Sequence, residues 1–115
     1  MVTEAQLERR IRKIKERLAA LGPMRPGNLS RQHTVCGTPG CWCKDPDKPL
    51  KHGPYYHLKY PWQGRSTTEF VKPQDVAEVE KQLATYKRFR ALTNEWVEAS
   101  TKLARLRKKR GSDGV

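Results

Sequence analysis

Apolar residues recur at helical spacing near the start of the chain. They follow alternating steps of four and three residues, at Leu7, Ile11, Ile14, Leu18 and Leu21. Thr3 and Gln6 have the form of a capping box, which begins a helix. Gly22 and Pro23 then disfavour its continuation. The pattern predicts one amphipathic helix over residues 3–21.

A second, longer helical pattern follows Pro73, a residue type favoured at the first position of a helix. No Gly or Pro interrupts it before Gly111, and its apolar seam slips phase once. The seam consists of Val76, Val79, Leu83, Tyr86, Phe89, Leu92, Trp96, Ala99, Leu103 and Leu106. The spacing predicts a helix over residues 73–110 with a coiled-coil-like seam, followed by a disordered tail at 111–115. A helix at residues 3–21 is too short to cover this seam, so we expect an apolar row facing water and a homodimer through the long helices.

Strand-forming residues occupy the segment between the helices, residues 23–72. Residues 54–60 and 66–71 are rich in aromatic and β-branched types and flank a turn at Gly64. This arrangement predicts a β-hairpin, and residues 29–35 predict a short strand before it.

Three cysteines and a histidine in this segment form a candidate metal site. They are Cys36, Cys41 and Cys43, in the sequence Cys-Gly-Thr-Pro-Gly-Cys-Trp-Cys, and His52. In a reducing cytosol such a cluster is more often a set of metal ligands than of disulfides. Three thiolates and one imidazole make a closed tetrahedral shell for one structural zinc ion per chain. His33 and His57 are alternatives to His52, which we prefer because His57 lies inside a predicted strand.

Together these patterns predict an α+β fold in four segments. They are an N-terminal helix (1–22), a zinc-stabilised β-hairpin or short-sheet module (23–72), a long C-terminal helix (73–110) and a tail (111–115). No Ser/His/Asp set, Gly-rich phosphate loop or pair of catalytic carboxylates stands out, so we do not expect an enzyme. The N-terminus is charged and no run approaches about 20 apolar residues, so we expect a cytoplasmic protein that does not enter membranes.

The charge of the chain indicates the class of partner. Its 115 residues include 24 Lys and Arg against 12 Asp and Glu, a net charge of +12. Such an excess favours a polyanion, most commonly nucleic acid, and we expect DNA rather than RNA. We expect the rings of Tyr55 and Trp62 to be exposed, while about half of the hairpin aromatics alternate into the core. The candidate contacts are Arg25, Arg31, Lys44, Lys48, Lys51, Tyr55, Lys59, Trp62, Arg65, Arg105, Arg107, Lys108, Lys109 and Arg110.

Most of residues 27–95 resembles a bacterial family annotated only as a domain of unknown function. The resemblance rests on Asn28-Leu29-Ser30-Arg31-Gln32, on Val35-Cys36-Gly37 with Cys41 and Cys43, and on His52-Gly53-Pro54-Tyr55-Tyr56. That family looks like small basic proteins with a cysteine-rich loop and a His-Gly-Pro-Tyr motif, associated with transposases and other mobile elements. The resemblance implies this fold and the same four ligands, but no activity. The loop Lys44–Lys51 is longer here than in many members of the family.

Three functions fit these patterns. The first is a zinc-stabilised DNA-binding accessory or regulatory protein, nucleoid-associated and linked to a mobile element. The second is an RNA-binding or ribosome-associated zinc protein, which would use the same aromatic rings on unpaired bases. The third is a dimeric helical adaptor that docks on a transposase or recombinase. A steep salt dependence of nucleic-acid binding would favour the first two over the third.

Overall fold

The computed structural model of the protein describes residues 2–34, 37–46 and 51–113, with only the backbone for residues 112 and 113. In chain order its elements are helix α1 (Glu4–Ala19), strand β1 (Asn28–Thr34), a 3₁₀ helix (Trp42–Lys44), strands β2 (His52–Trp62) and β3 (Arg65–Val71), a second 3₁₀ helix (Pro73–Asp75) and helix α2 (Val76–Asp113). The predicted α+β class is confirmed: an N-terminal helix, a small antiparallel sheet and a long C-terminal helix. None of the helices in the described ranges is long and apolar enough to cross a membrane.

The chain divides into two compact units. A helical unit comprises Met1–Met24 and Ala84–Val115, and a sheet unit comprises Arg25–Leu83. Helix α2 therefore contributes its first turns to the sheet unit and its remaining length to the helical unit.

Helix α1 begins with the capping box that the sequence predicts. The Thr3 hydroxyl accepts a hydrogen bond from the Gln6 backbone amide, and the Gln6 side chain accepts one from the Thr3 amide. These two bonds satisfy donors that have no partner inside the helix. The apolar side of α1 packs on α2 around Leu7, Ala99 and Leu103, which are all buried.

The apolar seam of α2 packs against other elements of the same chain near both of its ends. Each of its ten side chains is buried or half-buried. In the sheet unit, Val79 and Leu83 pack with the sheet. In the helical unit, Ala99 and Leu103 pack against α1. The expected water-facing row is therefore not seen on this seam, and a dimer is not needed to cover it.

Helix α2 differs from its predicted bounds at both ends. Its first turn is a 3₁₀ helix, closed by a hydrogen bond from the Asp75 amide to the Lys72 carbonyl (2.8 Å), and the α-helix begins at Val76. At the other end the helix passes Gly111 and reaches Asp113, which includes part of the predicted tail. Glycine lowers helix propensity by only about 1 kcal/mol relative to alanine, too little by itself to end a helix of 38 residues.

The sheet is antiparallel with the strand order β1-β2-β3. Strands β2 and β3 form the predicted hairpin around the two-residue turn Gln63–Gly64, in which both residues have positive φ (50° and 77°). Such a turn has the twist that joins antiparallel strands, and it requires a left-handed conformation that glycine adopts without strain. The turn pairs Trp62 with Arg65 and so sets the register of the whole hairpin.

One face of the sheet, here called the inner face, forms the core of the sheet unit. Leu58 is fully buried there beside Val71, and Val79 and Leu83 of α2 pack against them. Leu29, Tyr56, Tyr60 and Val76 are half-buried around this cluster. Burial of a leucine side chain of this kind contributes about 1.5–3 kcal/mol. The opposite, outer face carries Tyr55, His57 and Lys59 of β2, since side chains alternate along a strand.

A β-bulge interrupts the pairing of β1 with β2. Thr34 pairs with His52 and Gln32 pairs with Tyr55, so one residue of β1 lies opposite two residues of β2. One of these two is Gly53, whose φ is +128°. A Cβ atom at this position would lie 2.7 Å from the Gln32 carbonyl oxygen. The bulge changes the alternation of side chains just after His52, one of the predicted metal ligands.

Candidate metal centre and basic surfaces

Three of the four predicted metal ligands converge in the sheet unit. The ligand atoms of Cys41, Cys43 and His52 all lie within 4.8 Å of one another. The Cys41 Sγ and His52 Nε2 atoms are 3.2 Å apart. In a tetrahedral zinc site, bonds of about 2.3 Å to sulfur and about 2.0 Å to nitrogen place the ligand atoms about 3.5–3.8 Å from one another. The three ligand atoms therefore lie close enough together to hold a metal ion.

Two local structures position these ligands. Cys41 caps the 3₁₀ helix that contains Cys43, and the Lys44 amide donates to the Cys41 carbonyl at 3.0 Å. This tight turn keeps the two thiols together although only one residue separates them. His52 is the first residue of β2, where it pairs with Thr34 at the end of β1. The metal cluster thus joins the loop between β1 and β2 to the start of the central strand of the sheet.

The metal cluster is partly shielded from solvent. Cys43 is buried, with 1% of its surface exposed, and Cys41 is half-buried. The Trp42 ring lies 4.6 Å from the His52 ring, centroid to centroid, and covers it on one side. Two sulfurs and an imidazole nitrogen form a donor set that favours zinc over calcium or magnesium.

The predicted ligand Cys36 lies outside the described residues. The two alternative histidines do not belong to the cluster found among the described side chains. The His57 ring instead lies 4.6 Å from the Phe70 ring, and His33 is exposed on β1. The preference for His52 over His57 agrees with this geometry.

Arg25, a predicted phosphate contact, is engaged inside the sheet unit. Its guanidinium donates a hydrogen bond to Glu69 at 3.0 Å and lies over the Tyr60 ring, 5.5 Å from the centroid. The Arg25 amide also donates to the Gln82 carbonyl, at 3.3 Å. These contacts hold Arg25 within the sheet unit. The Arg25 guanidinium is therefore less available to a ligand.

The other predicted contacts of the sheet unit do not share one surface. Lys59 lies on the outer face, whereas Arg31 and Arg65 pair with Tyr56 and Trp62 and so belong to the inner-face side of their strands. All three are exposed, as are Lys44 and Lys51 in the loop region. Lys48 lies outside the described residues.

The predicted exposure of two hairpin aromatics is confirmed. Tyr55 is 37% exposed and Trp62 is 60% exposed, whereas Tyr56 and Tyr60 pack against the core. The register nevertheless places Tyr55 and Trp62 on opposite faces of the hairpin, so they cannot form one stacking surface. Phe70 lies near Tyr55 instead, and sequence reasoning missed it. A two-residue turn at Gln63–Gly64 would have predicted that Phe70 pairs with His57.

The C-terminal basic cluster is partly paired with acidic residues of α1. Arg107 donates to Glu8 at 2.9 Å and Arg110 donates to Glu4 at 2.8 Å. Ion pairs on a surface of this kind contribute about 0–1 kcal/mol each. The remaining predicted contacts of the cluster are exposed, at Arg105, Lys108 and Lys109.

Helix α1 carries a stronger basic surface than the sequence suggested. All of its Arg and Lys side chains are exposed, and four of them line a groove of about 520 Å³ in the helical unit. The lining of this basic groove consists of Gln6, Arg9, Arg10, Lys13, Ile14, Arg17 and Glu95. Beside it, the Lys102 hydrogen bond and the charges of Lys102 and Arg10 hold the pKa of the Glu98 carboxyl below its usual value. These α1 residues were not among the predicted contacts, because the groove forms only where Glu95 of α2 supplies part of its other wall.

These observations define the chain as a small basic α+β protein with a Cys-Cys-His cluster that is able to hold a metal ion. It belongs to the DUF6788 family, a domain of unknown function, whose model matches residues 4–81. The predicted membership in a family of unknown function is thereby confirmed. Searches of curated proteins and of solved structures found no significant match.

Proposed function

We propose that this is a cytoplasmic, zinc-stabilised nucleic-acid-binding protein without enzymatic activity. The observation that carries the proposal is the basic groove, which Arg9, Arg10, Lys13 and Arg17 line together with one carboxylate, Glu95, while Glu98 lies beside it. In a chain of net charge +12, this arrangement concentrates positive potential at one place. Regularly spaced phosphates are the ligand that matches such a row of cations. The resemblance to proteins of mobile elements supports DNA as the nucleic acid and an accessory or regulatory role.

The metal cluster supports the same proposal through the stability of the sheet unit. Zinc would be held by Cys41, Cys43 and His52. We assign the fourth position to Cys36, which comes two residues after Thr34, the residue that pairs with His52. Four protein ligands leave no position for an activated water, so the zinc has a structural role. Bound zinc would link the loop between β1 and β2 to the sheet and so keep the exposed side chains of β2 and β3 in place.

Binding should depend steeply on salt. With a fluorescently labelled DNA of about 15 nucleotides, we expect log affinity to fall linearly with log salt, with a slope that corresponds to about six or more released counterions. Fluorescence anisotropy from low to moderate salt measures this slope. A slope near zero, or no binding at moderate salt, would contradict nucleic-acid binding and favour the protein adaptor.

Two triple variants locate the contact, since each removes three charges. Substitution of Arg9, Arg10 and Lys13 by Gln should lower the salt slope by about 3 and weaken binding to all sequences alike. The matched variant substitutes Arg105, Lys108 and Lys109 by Gln and should have the smaller effect. Equal losses from both variants would show that overall charge, and not the basic groove, determines binding.

A further inference from the structure

Three aromatic rings cluster on the outer face of the sheet. The His57 and Phe70 rings are 4.6 Å apart, centroid to centroid, and the Tyr55 and Phe70 rings are 6.2 Å apart at an interplanar angle of 83°. Phe70 is 69% exposed, although it is one of the two phenylalanines in the chain. His57 and Phe70 are directly paired across β2 and β3, which fixes both on the same face.

The core does not explain these rings. The inner face of the same strands buries Leu58 and Val71, and it packs on α2. Within the described ranges no buried cluster packs on the outer face, and Phe70 leaves most of its apolar surface in water. Clusters of exposed apolar side chains with a polar rim mark binding sites more often than they serve stability.

The remaining outer-face positions are polar or basic, except for Pro61, which pairs with Ser66. The register of the strands places these described side chains around the rings: Asn28, Ser30, Gln32, Lys59, Ser66 and Thr68. No carboxylate occupies a described outer-face position of the three strands. The acidic residue of β3, Glu69, pairs with Leu58 on the inner-face side and binds Arg25. The face therefore combines aromatic surfaces, hydrogen-bonding groups and a positive charge, without a negative charge that would repel phosphate.

We infer that the outer face is a stacking platform for unpaired nucleotide bases, with Tyr55, His57 and Phe70 as its rings. This inference rests on the proposed function and specifies its substrate: nucleic acid with a single-stranded segment. Every base offers a flat π-face to an aromatic ring, whereas paired bases in a duplex keep their faces stacked on one another. Lys59 contacts the phosphate backbone beside the stacked bases. The absence of carboxylates favours a polyanion over a second copy of the same face, since two copies would bring their Lys59 side chains together.

Three oligonucleotides of about 15 nucleotides separate stacking from charge. They are a single strand, the corresponding duplex, and an abasic strand with the same phosphates and no bases. We expect the single strand to bind more tightly than the abasic strand by a factor of about 5 to 100, the effect of one stacked base. An RNA strand of the same sequence shows whether the platform accepts both sugars.

Phe70 variants assign the effect to the platform. Phe70→Leu keeps an apolar side chain but removes the most exposed of the three rings, so binding of the single strand should weaken toward that of the abasic strand. Phe70→Trp should restore or tighten binding, because it supplies a larger ring. Val97→Ala is the control, since Val97 is 65% exposed on α2 and distant in sequence from the sheet.

The outcomes distinguish this inference from the proposed function. Failure of the unmodified protein to bind any of the three oligonucleotides would overturn both. Equal binding of the single strand and the abasic strand, unchanged by Phe70→Leu, would overturn the platform and leave phosphate binding intact. Dissociation of a dimer by Phe70→Leu, without an effect on oligonucleotide affinity, would assign the outer face to self-association and also overturn the platform.

Discussion

Substitution of Cys43 by Ser should abolish tight zinc binding and unfold the sheet unit of the protein. Cys43 is 99% buried, its thiol lies in the metal cluster, and a serine hydroxyl is a poor zinc ligand. A structural zinc contributes on the order of 10 kcal/mol to folding, which is comparable to the entire stability of a small domain, about 5–15 kcal/mol. Amide hydrogen exchange should show loss of protection in β2 and β3, while α1 and the C-terminal part of α2 keep theirs.

Two controls separate loss of metal from a local packing defect. Thr38→Ala changes an exposed side chain of the same loop. The Cys41 amide donates to the backbone carbonyl of Thr38, which the substitution leaves in place, so this variant should keep both the bound zinc and the protection of its amides from exchange. Chelation of zinc from the unmodified protein should reproduce the exchange pattern of Cys43→Ser, and added zinc should reverse it. Retention of zinc and of sheet protection by Cys43→Ser would mean that Cys43 is a buried core thiol and not a ligand.

Substitution of Gly53 by Ala should weaken zinc binding although residue 53 is not a ligand. Its φ of +128° is unfavourable for alanine, and the new Cβ would lie 2.7 Å from the Gln32 carbonyl oxygen. Strain of this kind costs about 1–3 kcal/mol, and relief of it would move His52, the adjacent residue. We expect zinc affinity to fall by a factor of about 5 to 150, as measured by competition with a chromogenic chelator.

Gly37→Ala is the matched control for this effect. Gly37 lies in the loop between β1 and β2, no atom lies within 4 Å of a Cβ placed on it, and its φ is not in the left-handed region. Its zinc affinity should equal that of the unmodified protein. Equal affinities of the Gly53→Ala and Gly37→Ala variants would show that the bulge does not position His52.

Local signals predicted the elements well because each depends on neighbouring residues. The capping box at Thr3 and the turn at Gly64 act over three or four positions, and both are formed as the sequence indicates. The clustering of Cys41 with Cys43 was predictable for the same reason. The proximity of His52 to these cysteines was predictable from chemistry, because thiolates and imidazole are ligands of the same metals.

Features that depend on tertiary packing were harder to predict. Coverage of the α2 seam depends on how α1 and the sheet pack on it, which apolar periodicity does not specify. Arg107 pairs with Glu8 across 99 positions, so charge counting overstated the availability of the C-terminal cluster. The exposure of Phe70 required the hairpin register, because a phenylalanine in a strand is by default expected in the core. The homodimer stays a prediction that the packing of one chain does not require.

Native mass spectrometry of the unmodified protein, purified without chelator, tests the central claim most directly. The mass reports bound metal and oligomeric state in one spectrum. We predict one zinc ion per chain, with Cys36, Cys41 and Cys43 protected from an alkylating reagent until the metal is removed. A folded, metal-free protein whose three thiols all react with an alkylating reagent would contradict the metal site and the zinc-stabilised module built on it.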